Sequence, residues 1–305
     1  MSDLIIQRSR CLSHIEDPCS AIQLLLRPKE KNLDNATVRR LMPTTDLRSV
    51  GPFVFFDHLG PAVFAPGQGI DVRPHPHIGL ATITYVFAGE ILHRDNLGEV
   101  QSIRPNEINW MTAGRGIVHS ERTPPELRAR GHILHALQLW VALPEADQET
   151  DPSFYHYGSA ALPLREEPGR SVRVMIGEAF GLSSQVRTWS PTLYAEVNLK
   201  AGKSVIVPDQ VEERAAYVIS GEVTASGISI PRHTMAVFDC AEGIELTARE
   251  DSRLVLIGGT PLGKRTVWWN LVSTRKELIE KAKQDWREKR FAKVPEETEF
   301  IPLPD

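Results

Sequence analysis

Pro74-His75-Pro76-His77 and, further along the chain, His119-Ser120-Glu121 are the two stretches on which the reading of this sequence turns. Side chains on a β-strand alternate between faces, so residues two apart share a face. His75 and His77 point the same way if their segment is extended. His119 and Glu121 do the same on theirs, and Ser120 points away from both. Two such strands paired across a small barrel bring three imidazoles and one carboxylate to one point. That donor set is a metal site. It is not a catalytic triad, because no serine or cysteine faces it.

The flanking residues fit buried strands. Gly69 precedes the first pair, a dense apolar run fills Ile78–Phe87, and Gly89 closes it. Trp110-Met111-Thr112-Ala113-Gly114-Arg115-Gly116 is a glycine-punctuated turn leading into the second pair. Upstream, Phe53-Val54-Phe55-Phe56-Asp57-His58-Leu59 reads as an aromatic strand that ends in a Gly60-Pro61 turn. Downstream, 132–143 reads as a long strand stopped by Pro144. On it His135, Leu137, Leu139 and Val141 share one face, and Ala136, Gln138, Trp140 and Ala142 the other. His58 and His135 are candidates for a shell around the metal, though a structural role suits each better.

The 305 residues are 41% hydrophobic and 24% charged, an ordinary globular balance, and allow two domains or one doubled domain. A net charge of −4 without basic runs argues against direct nucleic-acid binding. No apolar stretch is long enough for a transmembrane helix, and Met1–Ile6 has no export-type apolar core. The odd cysteine count (Cys11, Cys19, Cys240) indicates reduced thiols and a cytoplasmic location, with the nucleus an alternative in a eukaryote. Prolines and glycines spread through short segments indicate an all-β fold.

The chain also repeats itself. Tyr85-Val86-Phe87-Ala88-Gly89-Glu90 matches Tyr217-Val218-Ile219-Ser220-Gly221-Glu222, Ser102-Ile103-Arg104-Pro105 matches Ser229-Ile230-Pro231, and Gly116-Ile117 matches Gly243-Ile244. Three landmarks in one order mark a duplicated unit. By these offsets His75 falls on Val207, His77 on Asp209, His119 on Leu246 and Glu121 on Ala248. The second copy keeps no histidine pair, so the fold does not require them, which favours the metal reading of the first copy. The division expected is 1–145 for a metal-binding barrel, 146–170 for a linker, and 171–305 for a barrel without ligands that closes with a helix. Thr274-Arg275-Lys276-Glu277 reads as the capping box of that helix, which runs to about Lys289.

Phe56–Pro61, Asp71–Leu80, Leu92–Asp95 and Asn109–Glu121 together resemble the pirin family of the cupin superfamily, across residues 51–125. The resemblance implies two tandem cupin (double-stranded β-helix, jelly-roll) barrels and one iron in the first, with His75, His77, His119 and Glu121 as ligands. General cupins place a glutamate seven residues before a glycine. Here that position is Thr82, before Gly89, and the carboxylate comes from Glu121 as in pirins.

Imidazole and carboxylate donors suit several first-row divalent metals, and Fe(II) is expected first, one per chain. The resemblance implies a quercetin 2,3-dioxygenase-like activity on a chelating flavonol and dioxygen, with Glu121 as the catalytic base. It equally implies an alternative, an iron-dependent redox sensor that binds a transcription factor or metabolic enzyme without turnover. Arg73, Arg94 and Arg115 would then present the partner surface, though solvated arginines are the simpler reading of each.

Overall fold

The computed structural model describes residues 4–5, 21–33 and 36–304, and Cys11 and Cys19 lie outside them. The fold is all-β with two helices among the described residues. Each half is a seven-stranded sheet facing a four-stranded one. In the first barrel the large sheet runs, in spatial order, Ser153–Tyr157, Ile108–Thr112, Leu80–Ala88, His132–Ala142, Phe53–Phe64, Ala36–Met42, Lys29–Leu33. The small sheet runs Asp71–His77, Ile117–Arg122, Ile91–Asp95, Val100–Ile103. The second barrel repeats the order. Its large sheet is Ile22–Leu26, Met235–Phe238, Glu213–Ser220, Ser252–Gly259, Thr192–Leu199, Arg170–Ile176, Leu164–Glu167. Its small sheet is Ser204–Ile206, Glu245–Ala248, Glu222–Ala225, Ile228–Pro231.

The strands depart from the expected division in two places. Ile22–Leu26 belongs by sequence to the first half but is hydrogen-bonded to Met235–Phe238 of the second barrel. The stretch 146–170 is not a plain linker. Ser153–Tyr157 extends the first barrel's sheet against Ile108–Thr112, and Leu164–Glu167 extends the second's against Arg170–Ile176. Proline among charged residues suits an edge strand as well as a linker, and composition does not separate the two. The aromatic strand also runs on through Gly60-Pro61 to Phe64, absorbing the pair at a register shift opposite Leu134 and Ala136.

The ladders equate the two copies residue by residue. Tyr85 lies opposite Leu137, which lies opposite His58; Tyr217 lies opposite Val255, which lies opposite Glu196. In the small sheets His119 pairs with His75, and Leu246 pairs with Val205. The counterparts of His75 and His77 are therefore Val205 and Val207, not Val207 and Asp209. The connection to the following strand is longer in the second copy, which shifts the offset taken from the tyrosines.

The large sheets of the two barrels pack face to face. Phe53, Phe56, Tyr85, Leu137 and Leu139 from the first and Met175, Tyr194, Tyr217, Val255 and Ile257 from the second form one buried cluster. A polar pair crosses it twice, related by the internal symmetry. Tyr85 donates its hydroxyl to Glu196 at 2.5 Å, and the Tyr217 hydroxyl lies 2.7 Å from Nδ1 of His58. Glu196 is held in turn by Arg253 at 2.6 Å, and His58 by His135 at 2.7 Å, Nε2 to Nε2. His58 and His135 thus belong to the seam between barrels and not to a shell around the metal.

The end of the chain returns to the first barrel. A hairpin, Thr266–Trp268 with Leu271–Ser273, lies against it through the Val272 N–H, which donates to the Ile78 carbonyl at 3.1 Å. Gly79 permits this approach: its φ is +67°, and a Cβ there would collide with the Val272 carbonyl. The helix spans Lys276–Arg287 with Arg275 at its N-cap position and buries Ile279 and Ala282. The expected capping box is not formed, because Thr274 Oγ1 accepts from the Gln148 amide at 2.9 Å instead. No helix among the described residues is long and apolar enough to cross a membrane.

Candidate metal centre

His75, His77 and His119 are buried, and one ring nitrogen of each lies within 4.8 Å of the other two. Their strands are paired in the small sheet with His119 directly opposite His75, so strand alternation alone puts the three rings on the inner face. Hydrogen bonds then fix which nitrogen is offered. Nδ1 of His75 donates to the Arg73 carbonyl at 2.8 Å, and Nδ1 of His77 to the Asn270 carbonyl at 3.0 Å. A carbonyl only accepts, so each Nδ1 carries the proton and each Nε2 is left with a bare lone pair.

His119 is set at one remove. Asp95, fully buried, accepts from Nε2 of His93 at 3.0 Å. On its other side Nδ1 of His93 faces Nδ1 of His119 at 3.4 Å. Nε2 of His119 lies 3.1 Å from Nε2 of His77. Two bare lone pairs and a third imidazole converge on one buried point, an arrangement that a cation between them would stabilise. Burial depresses the pKa of all three, to about 4 for His75 and well below the usual histidine value for His77 and His119, where neighbouring imidazoles add to the effect. Neutral imidazole at neutral pH is the form a metal binds. The donor set fits a first-row divalent ion with coordination positions to spare.

Glu121 is buried and lines the same cavity, but its carboxylate stands outside the close cluster of three nitrogens. A register shift between His119 and Glu121 displaces it relative to the Asp71–His77 strand. Its Oε1 accepts from the Thr84 hydroxyl at 3.0 Å, and Thr84 also lies 2.8 Å from the Gln138 amide oxygen. Burial raises its pKa, against the pull of His93 and Thr84. Ser120 faces the other way and donates to Glu297 at 2.7 Å.

The cavity in front of the histidines measures about 540 Å³, the size of a small-molecule site. Phe55, Trp140, Trp268 and Trp269 make an aromatic wall, and Arg40 and Asp57 stand within it as an ion pair. Sequence reasoning missed Arg40, Asp57, Thr84, His93 and Asp95. The signals were a carboxylate inside an aromatic strand at Asp57 and a strand-spaced His93-Arg94-Asp95. Arg73 is exposed, Arg94 pairs with Glu296 at 3.4 Å and Arg115 with Asp151, so all three lie outside the centre.

The second barrel shows what this interior looks like without a site. Val205, Val207 and Leu246 occupy the places of the three ligands, and Val223 and Ala248 those of His93 and Glu121. Val174, Ala195, Ala216 and Leu256 replace Arg40, Asp57, Thr84 and Gln138. All nine are buried in one continuous apolar core. In the first barrel the core is split into two apolar clusters, one around Phe55, Met111 and Trp140, the other around Leu59, Ile70 and Ile103.

Two tandem cupin barrels, the first with a three-histidine metal-binding site and the second filled with aliphatic side chains, define a metal-binding bicupin. The pirin family model matches residues 35–141, and the model of the pirin C-terminal cupin domain matches residues 194–292. A pirin-like protein of Caulobacter vibrioides is 47% identical over 289 residues, covering 93% of this chain and 100% of its own length. A solved quercetin 2,3-dioxygenase from Acinetobacter baumannii is 31% identical with a TM-score of 0.86, covering 92% of this chain and 95% of that one. A bacterial pirin from Escherichia coli, solved in complex with nickel(II), shares the fold at TM-score 0.62 and 20% identity, over 78% of this chain and 99% of that one. The chain belongs to the pirin family.

Proposed function

We propose that this pirin is a metal-dependent dioxygenase that opens the oxygenated ring of flavonol-type chelators. The observation that carries the reading is the buried cluster of three imidazole nitrogens beside a cavity of about 540 Å³ with aromatic walls. Such a space accepts a flat ligand that offers two adjacent oxygens to the metal. The similarity to the Acinetobacter quercetin 2,3-dioxygenase supports the same chemistry.

Fe(II) is the metal proposed, held by His75, His77 and His119 with Glu121 as the fourth ligand. When bound, it would bring chelated substrate and dioxygen together. The chain's own residues do the rest. Arg73 and Asn270 carbonyls hold His75 and His77 in the binding tautomer, and the Asp95–His93 pair stands behind His119. Trp140, backed by Phe55 at 3.9 Å, gives the cavity an apolar aromatic lining that aligns the ligand's rings and excludes water. Glu121 takes the proton from the ligand hydroxyl while Thr84 keeps one of its oxygens in place.

The test is anaerobic purification with metal analysis, then oxygen uptake with quercetin. Iron near one per chain, with uptake that disappears in His75→Ala, supports the reading. Iron with no uptake on any flavonol sinks it. The second reading, a redox-sensing partner protein, then predicts capture of a protein in one iron oxidation state only.

A further inference from the structure

Arg40 is an expensive residue to place beside a metal cavity, and its sister barrel manages without it. Its Nε and Nη2 donate to the two carboxylate oxygens of Asp57 at 2.8 and 2.7 Å. Nη1 has no protein acceptor among the described residues. Asp57 is 3% exposed, and its burial raises its pKa against the pull of Arg40. Arg40 itself keeps about a third of its side chain exposed, and a pair of this kind gives little net stability. At the matching positions the second barrel carries Val174 and Ala195, opposite each other in the same register. The pair is therefore present in the barrel with the ligands and absent from the barrel without them.

Its placement says what it meets. The guanidinium carbon lies 4.5 Å above the Phe55 ring, Phe55 stacks on Trp140 at 3.9 Å, and Trp140 meets His77 at 5.1 Å. These contacts lead from the metal cluster to the guanidinium along one wall of the cavity. Asp57 and Phe55 hold the guanidinium by one edge and one face, and the Nη1 edge remains. A guanidinium only donates, so it requires an acceptor.

We infer that Arg40 is a specificity-determining residue. It binds an acceptor oxygen, a phenolic hydroxyl or phenolate, on the ring of the chelator that lies away from the metal, and Asp57 orients it. This rests on the proposed reading of the cavity as a site for aromatic chelators. A site that bonds a ligand oxygen discriminates against the analogue that lacks it, because a donor stripped of water by the bound rings is then left unpaired.

The experiment compares anaerobic binding of quercetin with that of galangin, a flavonol without the two pendant-ring hydroxyls, by quenching of the tryptophan fluorescence. It uses the full metal-loaded chain, Arg40→Gln, and Arg40→Val with Asp57→Ala, the pair present in the second barrel. The double variant leaves no unpaired buried carboxylate, so it reports even if Arg40→Gln folds poorly. The expected result is a preference of about tenfold for quercetin in the unaltered chain, falling to near parity in both variants with metal content unchanged. A preference that survives in the variants, or is absent from the unaltered chain, overturns the role of Arg40 alone. Failure of the unaltered chain to bind either flavonol overturns the reading of the cavity and the inference with it.

Discussion

Replacing His58 with glutamine is expected to reverse the order of stability between variant and unaltered chain as the pH falls. His58 is fully buried in the seam between barrels, bonded to Tyr217 and His135. Burial, with His135, His233 and Arg39 nearby, lowers its pKa from 6.5 to about 2. The ring therefore stays neutral in the folded chain, while in the unfolded chain it takes a proton below 6.5. The unfolded state binds more protons, so stability is complete above pH 6.5 and is lost as the pH falls from there toward 2. The slope approaches about 1.4 kcal/mol per pH unit, or roughly 2 kcal/mol by pH 5. At pH 7.5 glutamine recovers only part of the imidazole's bonding and costs about 1–2 kcal/mol. By pH 5 the unaltered chain has lost that advantage, and the two curves meet or cross. Urea unfolding at several pH values, with chelator present throughout, gives the difference directly. The histidines of the metal cluster, away from the seam, titrate in both proteins and cancel, and His135 and His233 beside the substitution are part of the difference read. A gap that stays constant from pH 7.5 to 5 refutes the neutral, buried assignment of His58.

Glu121→Gln keeps the three imidazoles and removes the base, so oxygen uptake should fall by about a hundredfold or more while metal content falls little; equal loss of both removes the separate base role. Stripping the metal should lower the melting temperature, since an ion at a thousand times its Kd stabilises the fold by about 4 kcal/mol; an unchanged melting curve argues against tight binding. Leu246→Ala opens a void in the second barrel's core and should cost about 2–5 kcal/mol without changing metal stoichiometry. Metal loss in that variant, with the fold intact, would mean the second barrel contributes to the site.

The metal cluster was legible because its signal is local. Two residues two apart on a strand share a face whatever the rest of the chain does, so His75, His77 and His119 needed only a barrel to bring them together. The duplication was legible because Tyr85 and Tyr217 sit in the same motif. Their reason for recurring lay elsewhere, in the symmetric bonds each makes across the seam, and only the ladder register exposed that. His58 and His135 were ambiguous because a histidine on a buried strand carries no mark of which barrel surface it faces. Arg40 and Asp57 were invisible as a pair because, although their strands are consecutive, the bulged register that sets them opposite each other is not written in the residues between them. Thr274 was misread as a helix cap because a local motif lost to a tertiary bond with Gln148.

The carbonyl that orients His77 belongs to Asn270, and Trp268, Trp269 and Ile301 wall the cavity from the far end of the chain. Ribosomal synthesis runs from the other end. The strands carrying the three histidines emerge early, yet the site has its full wall and its fixed tautomer only after Ile301 has been made and docked on Pro74. A nascent or truncated chain therefore exposes loosely held imidazoles with no enclosed cavity beside them. The finished centre is thereby tied to synthesis as far as Ile301, and a chain cut short after the first barrel lacks the Asn270 carbonyl and the tryptophan wall.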